Sequence, residues 1–181
     1  MKKLLLVVVT AFSAIVGSAQ FSKATLQATG LTCAMCSNAI NKALQGIPFV
    51  ESVKSDIKNS SFDIVFKQGT AISIDALKDA VEDAGFSVGG LKVTGTFSDV
   101  KIEKDKHVKI GNDNFHFLNA DNRVLNGEQT ITVVDRNFVT EKQFKKYAAS
   151  TKMECIKTGK TGSCCEKDGI TAGERIYHVT I

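Results

Sequence analysis

Between residues 23 and 93 the apolar residues change their spacing in a set order, and few folds accommodate that order. Lys23 to Thr29 alternates, with Ala24, Leu26 and Ala28 on one side and Thr25, Gln27 and Thr29 on the other, which predicts a strand with one buried face. Gly30 ends it. From Cys36 to Gly46, Ala39, Ile40, Ala43 and Leu44 recur at helical spacing against Asn38, Asn41, Lys42 and Gln45, so an amphipathic helix is expected. Gly46 and Pro48 stop this helix, and Phe49 to Asp56 and Ser61 to Lys67 read as strands joined by a turn at Lys58-Asn59-Ser60. Ser73 then caps a second helix, and Asp75 complements its dipole. Ile74, Leu77, Ala80, Val81 and Ala84 form its apolar stripe, Gly85 closes it, and Phe86 to Val93 supplies the last strand. Strand, helix, strand, strand, helix, strand is the split unit of a ferredoxin-like α+β fold, a single antiparallel sheet with both helices on one face.

That order places Cys33 in the loop after the first strand and Cys36 at the start of the first helix. Such a pair can exchange electrons, hold a metal or close a structural bridge. The unpaired N–H groups of a helix start favour thiolate, and Cys36 is expected to gain most. Two soft thiolates on a short exposed loop suit a soft ion such as Cu(I), and two ligands leave the ion open to attack by a partner's thiol. A bridge across so short a loop constrains little of the unfolded chain, which makes a purely stabilising role a poor use of the pair.

The compartment bears on what those thiols do. Met1-Lys2-Lys3, the apolar run Leu4 to Val16, and Gly17-Ser18-Ala19 have the order of a secretory signal peptide, residues 1–19, with cleavage after Ala19. The run is shorter than the roughly 20 residues of a spanning helix, so no stable membrane insertion is expected after cleavage. The predicted product is secreted or periplasmic, with five cysteines, where exposed thiols oxidise unless something occupies them. The chain has 23 Lys+Arg against 19 Asp+Glu, and losing Lys2 and Lys3 leaves 21 against 19. With no basic stripe interleaved with aromatics, a nucleic-acid partner is not expected.

From Ser22 to Val93 the chain resembles the heavy-metal-associated domain family, whose mark is a Gly-Met-Thr-Cys-x-x-Cys loop in this fold position. Gly30, Thr32, Cys33 and Cys36 match that loop, and Asp83-Ala84-Gly85-Phe86 resembles a second landmark, an aromatic residue packed near it. The resemblance implies that Cys33 and Cys36 are the metal ligands. It implies Cu(I) as the ion, with Hg(II) or Zn(II) as alternatives. It also implies a metal-exporting membrane protein or another metal-binding domain as partner. A leader followed by one such domain is similar to the exported copper-binding and mercuric-ion binding proteins of bacteria. Leu31 stands where the family usually has an inward-turned methionine, a swap of similar volume. Met35 is expected to be an exposed spacer. A thioredoxin-type oxidoreductase also has Cys-x-x-Cys at a helix start, but it relies on a facing cis-proline, and the one proline here, Pro48, directly follows the first helix.

Residues 20–92 thus form one expected domain, and residues 93–181 a second of unassigned role. In the second, Lys92 to Lys101, Lys106 to Ile110, Asn114 to Asn119, Glu128 to Asp135 and Glu174 to Ile181 read as strands, with turns at Gly111-Asn112-Asp113, Ala120-Asp121-Asn122 and Asn126-Gly127. Thr140 and Gln143 predict a capping box for one late helix. Five short strands and a helix suggest a small mostly-β domain, with an oligonucleotide/oligosaccharide-binding type of barrel as the expected form. Cys155, Cys164 and Cys165 match no zinc spacing. They read first as a disulfide from Cys155 to one of its neighbours, and second as a soft-metal site with Met153. His107, His116 and His178 read as ordinary strand residues, His178 being the nearest in sequence to the cysteine loop.

Together these readings describe an exported, non-enzymatic protein that carries or sequesters Cu(I). The alternatives are a mercuric-ion scavenger, a thiol-disulfide oxidoreductase, and a metal sensor whose second domain docks an exporter.

Overall fold

The structure is a computed structural model describing residues 20–31, 33–163 and 165–181; the expected leader, Thr32 and Cys164 lie outside the described residues. The first half folds in the predicted order: β1 (Gln20–Thr29), α1 (Ala34–Gln45), β2 (Val50–Asp56), β3 (Ser61–Phe66), α2 (Ile74–Asp83) and β4 (Ser87–Ile102). Period-two alternation places Ala24, Leu26 and Ala28 of β1 on the same face as Phe62 and Ile64 of β3 and Leu91 and Val93 of β4, through pairs such as Leu26 with Phe62 and Leu26 with Leu91. Ile40 and Leu44 of α1 and Ile74, Leu77 and Val81 of α2 join these residues in one buried core. Each helix brings about 1.5–3 kcal/mol per fully buried large side chain. Ser73 caps α2 through its hydroxyl, and Gly85 follows the helix at a φ of +88°, which a residue with a Cβ adopts only under strain.

The second half comprises β5 (His107–Ile110), β6 (Asp113–Phe117), β7 (Arg123–Val133), α3 (Glu141–Ala148), α4 (Cys155–Thr158) and β8 (Ile176–Thr180), with a 3-10 turn at Glu166–Asp168. It does not close into the expected barrel. All eight strands form one open sheet in the order β2-β3-β1-β4-β7-β8-β6-β5. The physical reason lies in β4. Its alternation runs unbroken through residue 93, so the strand pairs with β1 along one edge and β7 along the other. Gly95 permits the close approach of β1, since a Cβ there would meet the Gln20 carbonyl oxygen at 2.8 Å. Asn126-Gly127, read as a turn, lies inside β7 at an irregularity in the pairing with β4. There the Asp99 N–H donates to Asn126 Oδ1 at 2.8 Å, and Asp99 and Gly127 both have positive φ.

β6 and β8 run parallel, which requires a long crossover, and residues 118–175 supply it. Within the crossover, the predicted Thr140/Gln143 capping box starts α3. Phe144 of α3 and Ile156 of α4 bury against Leu118, Val134 and Val139. Tyr177 and Val179 of β8 join the main core, so the strand is covered on both sides. Among the described residues no helix is long and apolar enough to cross a membrane.

Arg175 ties the two halves together. Its Nε and Nη2 donate to the Asp75 carboxylate in the first turn of α2 at 2.8 and 3.1 Å, its Nη1 lies 3.0 Å from Asp135 Oδ2, and its guanidinium sits 4.1 Å from the Tyr177 ring centre. Burial alone would raise the Asp75 carboxyl, but the Arg175 guanidinium and the Tyr177 hydroxyl outweigh it and hold the carboxyl below its ordinary value. A lowered folded value stabilises the protein above the unfolded carboxylate range, and the contribution fades as pH falls through the folded value. Asp75→Asn is therefore expected to cost on the order of 1 kcal/mol at neutral pH, the pair being partly exposed, with the deficit shrinking on acidification below about 3.8. Denaturant unfolding of both proteins across that range checks it; a deficit that grows toward low pH would count against the clamp.

Candidate metal centre

β1 ends at Gly30, whose φ of +82° turns the chain away from the sheet. Leu31 is half-buried and packs against the main core, as the volume argument requires. Cys33 then caps α1 in extended conformation, with φ −154° and ψ 160°, and its Sγ accepts the Cys36 N–H at 3.4 Å. The helix begins at Ala34, two residues earlier than the sequence reading placed it. Cys36 is thus in the first turn, and the hydrogen bond expected to favour Cys36 is instead donated by its own N–H to Cys33. The two sulfurs lie 2.6 Å apart. No acidic side chain occupies the first turn, so nothing there opposes negative charge on the sulfurs.

Cys33 is exposed and Cys36 half-exposed. Met35, between them, is 83% exposed and points to solvent as expected. A shallow depression beside Cys33 is lined by Leu31, Ala34, Ser37, Ile57 and Ser60. On the other side of the loop, pairing of Thr29 with Ser87 brings the start of β4, and with it Phe86, to the same end of the sheet as the cysteines. Phe86 packs on the main core there. Among the described residues, no third Cys, His, Asp or Glu completes a cluster with this pair.

The histidines behave differently from the sequence reading. His107, His116 and His178 are not surface residues; all are buried and meet around Cys155. Burial, helped by His178 and His107, pushes the His116 ring down to about 3, so it is neutral. Cys165 packs beside Cys155 and Ile176, with Met153 against them. The faint signal in the sequence is a histidine flanked by apolar or aromatic residues in strands covered on both faces: Phe115-His116-Phe117 and Tyr177-His178-Val179.

With the geometry established, comparison with known proteins can be stated. Residues 25–87 match the heavy-metal-associated domain family. Over 65 residues the chain is 29% identical to a probable copper-transporting ATPase, HMA5, of Arabidopsis thaliana, an alignment covering 36% of this chain and 6% of that protein. Over 67 residues it is 28% identical to the copper chaperone CopZ of Staphylococcus aureus (strain bovine RF122 / ET3-1), covering 37% of this chain and 97% of the chaperone. Among solved structures, a CopZ metallochaperone aligns at 28% identity with a TM-score of 0.35, covering 37% of this chain and 98% of that one. The chain therefore spans a small fraction of the ATPase and nearly all of the chaperone, and residues 88–181 lie beyond the matched family span. Residues 25–87 of this chain form a heavy-metal-associated domain.

Proposed function

We propose that this protein binds Cu(I) through Cys33 and Cys36 and either delivers it to a partner or sequesters it outside the cytoplasm. The observation that carries this reading is the Cys33/Cys36 pair itself, two thiols exposed or half-exposed at the start of α1, inside the span that matches the heavy-metal-associated family. Binding releases the thiol protons, and the two-ligand ion stays open to a third thiolate. An incoming cysteine of the partner can add before one of the original sulfurs leaves, so the ion passes over without being released to water. Zn(II) prefers four ligands and is poorly served here. Hg(II) shares the preference for thiolate and is the competing ion.

The similarity to a copper chaperone and to one segment of a copper-transporting ATPase supports a transporter or another metal-binding domain as the partner. Met35 and Ile57, 83% and 60% exposed, give the loop an apolar rim on which such a partner can seat. The leader-like residues 1–19 support a periplasmic or secreted location.

In anaerobic, reduced protein, Cys33→Ser/Cys36→Ser is expected to remove one Cu(I) equivalent per chain by native mass spectrometry while leaving the melting temperature unchanged, because neither side chain is in the core. Retention of that equivalent would overturn the assignment. Parallel competition between Cu(I) and Hg(II) ranks the ions, and sustained insulin-disulfide reduction by the wild type would favour an oxidoreductase instead. Leu31→Met tests the packing of the loop: affinity measured against a chelator should stay the same and stability should change by less than about 1.5 kcal/mol. A large gain in affinity would mean that this side chain reaches the ion.

A further inference from the structure

Three strands place three histidines in one row. His107 of β5 pairs with His116 of β6, and His116 pairs with His178 of β8, so all three project from the same face of the sheet. Their ring centres are 5.0 and 5.3 Å apart. Over this row, Cys155 at the start of α4 sets its Sγ 3.7 Å from His107 Nε2 and 3.3 Å from His178 Nε2. One donor atom from each of His107, His116 and Cys155 lies within 4.8 Å of the others. The four residues are 8%, 0%, 0% and 2% exposed for His107, His116, His178 and Cys155.

The outer side of two rings is held by carboxylates. His107 Nδ1 lies 2.6 Å from Asp168 Oδ2, and His178 Nδ1 lies 2.6 Å from Asp135 Oδ1. A carboxylate accepts, so these contacts assign the ring proton to Nδ1 and leave the Nε2 lone pairs directed inward, toward Cys155. A ligand histidine held by a carboxylate on its far nitrogen is the usual outer support of a metal site. His116 supplies the sharper clue. Neither of its ring nitrogens has a hydrogen-bond partner among the described residues, and the nearest carboxylate oxygen, on Asp105, is 3.9 Å away. A buried polar group left in that state costs about 1–3 kcal/mol unless something else engages it.

The two sulfur–nitrogen spacings fit a shell around one ion, His178 being joined to the His107–His116–Cys155 cluster through Cys155. With metal–sulfur and metal–nitrogen bonds of about 2.3 and 2.05 Å, tetrahedral geometry requires a sulfur–nitrogen separation of about 3.6 Å. The observed 3.3 and 3.7 Å bracket that value. A linear two-ligand ion would need about 4.35 Å with the same bonds. We propose that His107, His116, His178 and Cys155 form a second, buried metal site that takes one borderline-soft transition ion, Zn(II) or copper, in a shell of three nitrogens and one sulfur.

Cys155, His178 and Asp135 also have the order of an activated nucleophile, its base and an orienting acid. That reading gives no part to His107 and His116, and the burial of Cys155 leaves no room for a substrate at its sulfur. An ion needs only a narrow path. The depression lined by His107, Asp168, Lys109 and Asn114 reaches the outer side of the His107–Asp168 pair. The site is separate from the Cys33/Cys36 loop: β4 and β7 stand between β1 and β8, about 15 Å across three strand spacings.

The test uses the full chain carrying Cys33→Ser/Cys36→Ser, so its failure leaves the loop assignment untouched. The reduced, metal-stripped protein is titrated anaerobically with Zn(II), Co(II) and Cu(I) against a chelator. It is expected to take up one ion, with a thiolate-to-metal absorption band for Co(II) and about three nitrogens and one sulfur by X-ray absorption. Competition between Zn(II) and Cu(I) identifies the preferred ion. Adding His116→Leu, which removes the unpartnered nitrogens but keeps an apolar side chain, should leave the metal-free melting temperature the same or higher. The same change should weaken binding by at least about 100-fold and abolish the metal-induced rise in melting temperature. Asp135→Asn should weaken binding by about 10–100-fold. Failure to take up an ion, a shell without sulfur, uptake indifferent to His116→Leu, or a Cys155 disulfide persisting in the anaerobically purified protein would each overturn the proposal.

Discussion

The hydrogen-bond ladders on both edges of β4 hold this molecule together. In a free ferredoxin-like unit that strand would be an edge, with a row of unpaired amide and carbonyl groups. Here its sixteen residues pair with β1 through Leu91 and Val93 and with β7 through the same positions. The second half therefore shares the main core with the first, besides its own cluster around Phe144 and Ile156. Its Phe115 and Tyr177 rings pack 5.6 Å apart at a 33° tilt, and Phe115 reaches Phe21, which in turn meets Phe97, so an aromatic chain crosses the junction. Arg175 adds a polar tie from β8 to α2 at the same junction.

What could be read from the sequence follows from how locally each feature is encoded. The stripes of α1 and α2, the Ser73 cap, Gly85 and the Cys33/Cys36 loop lie within a few residues of each other, and each was legible. β4 was divided because its first seven residues complete a familiar unit, and nothing in the alternation marks whether a strand stops or gains a second neighbour. Asn126-Gly127 has the chemistry of a hairpin turn and serves in a bulge instead. The histidine row was hidden for a stronger reason. His116 and His178 meet through a parallel pairing whose crossover is the whole of residues 118–175, so no spacing rule links them.

The two candidate centres have opposite characters. Cys33 and Cys36 offer two sulfurs at or near the surface, an arrangement suited to passing an ion on. The proposed histidine site is buried and braced by Asp135 and Asp168, an arrangement suited to holding an ion firmly. Asp135 belongs to both the brace and the tie, since one of its oxygens faces His178 and the other faces Arg175.

β5 is only four residues long and forms the outer margin of the sheet, paired with β6 alone. A margin so short has little to hold it by pairing alone. Asp168 grips its first residue twice, accepting from the His107 backbone N–H at 3.2 Å and meeting the ring nitrogen at 2.6 Å. When that grip opens, β6 becomes the margin, and its five residues Asp113–Phe117 offer a template on which another chain can add a strand. The buried histidine at the end of the sheet thus keeps β5 in place over an edge that would otherwise be open to strand addition.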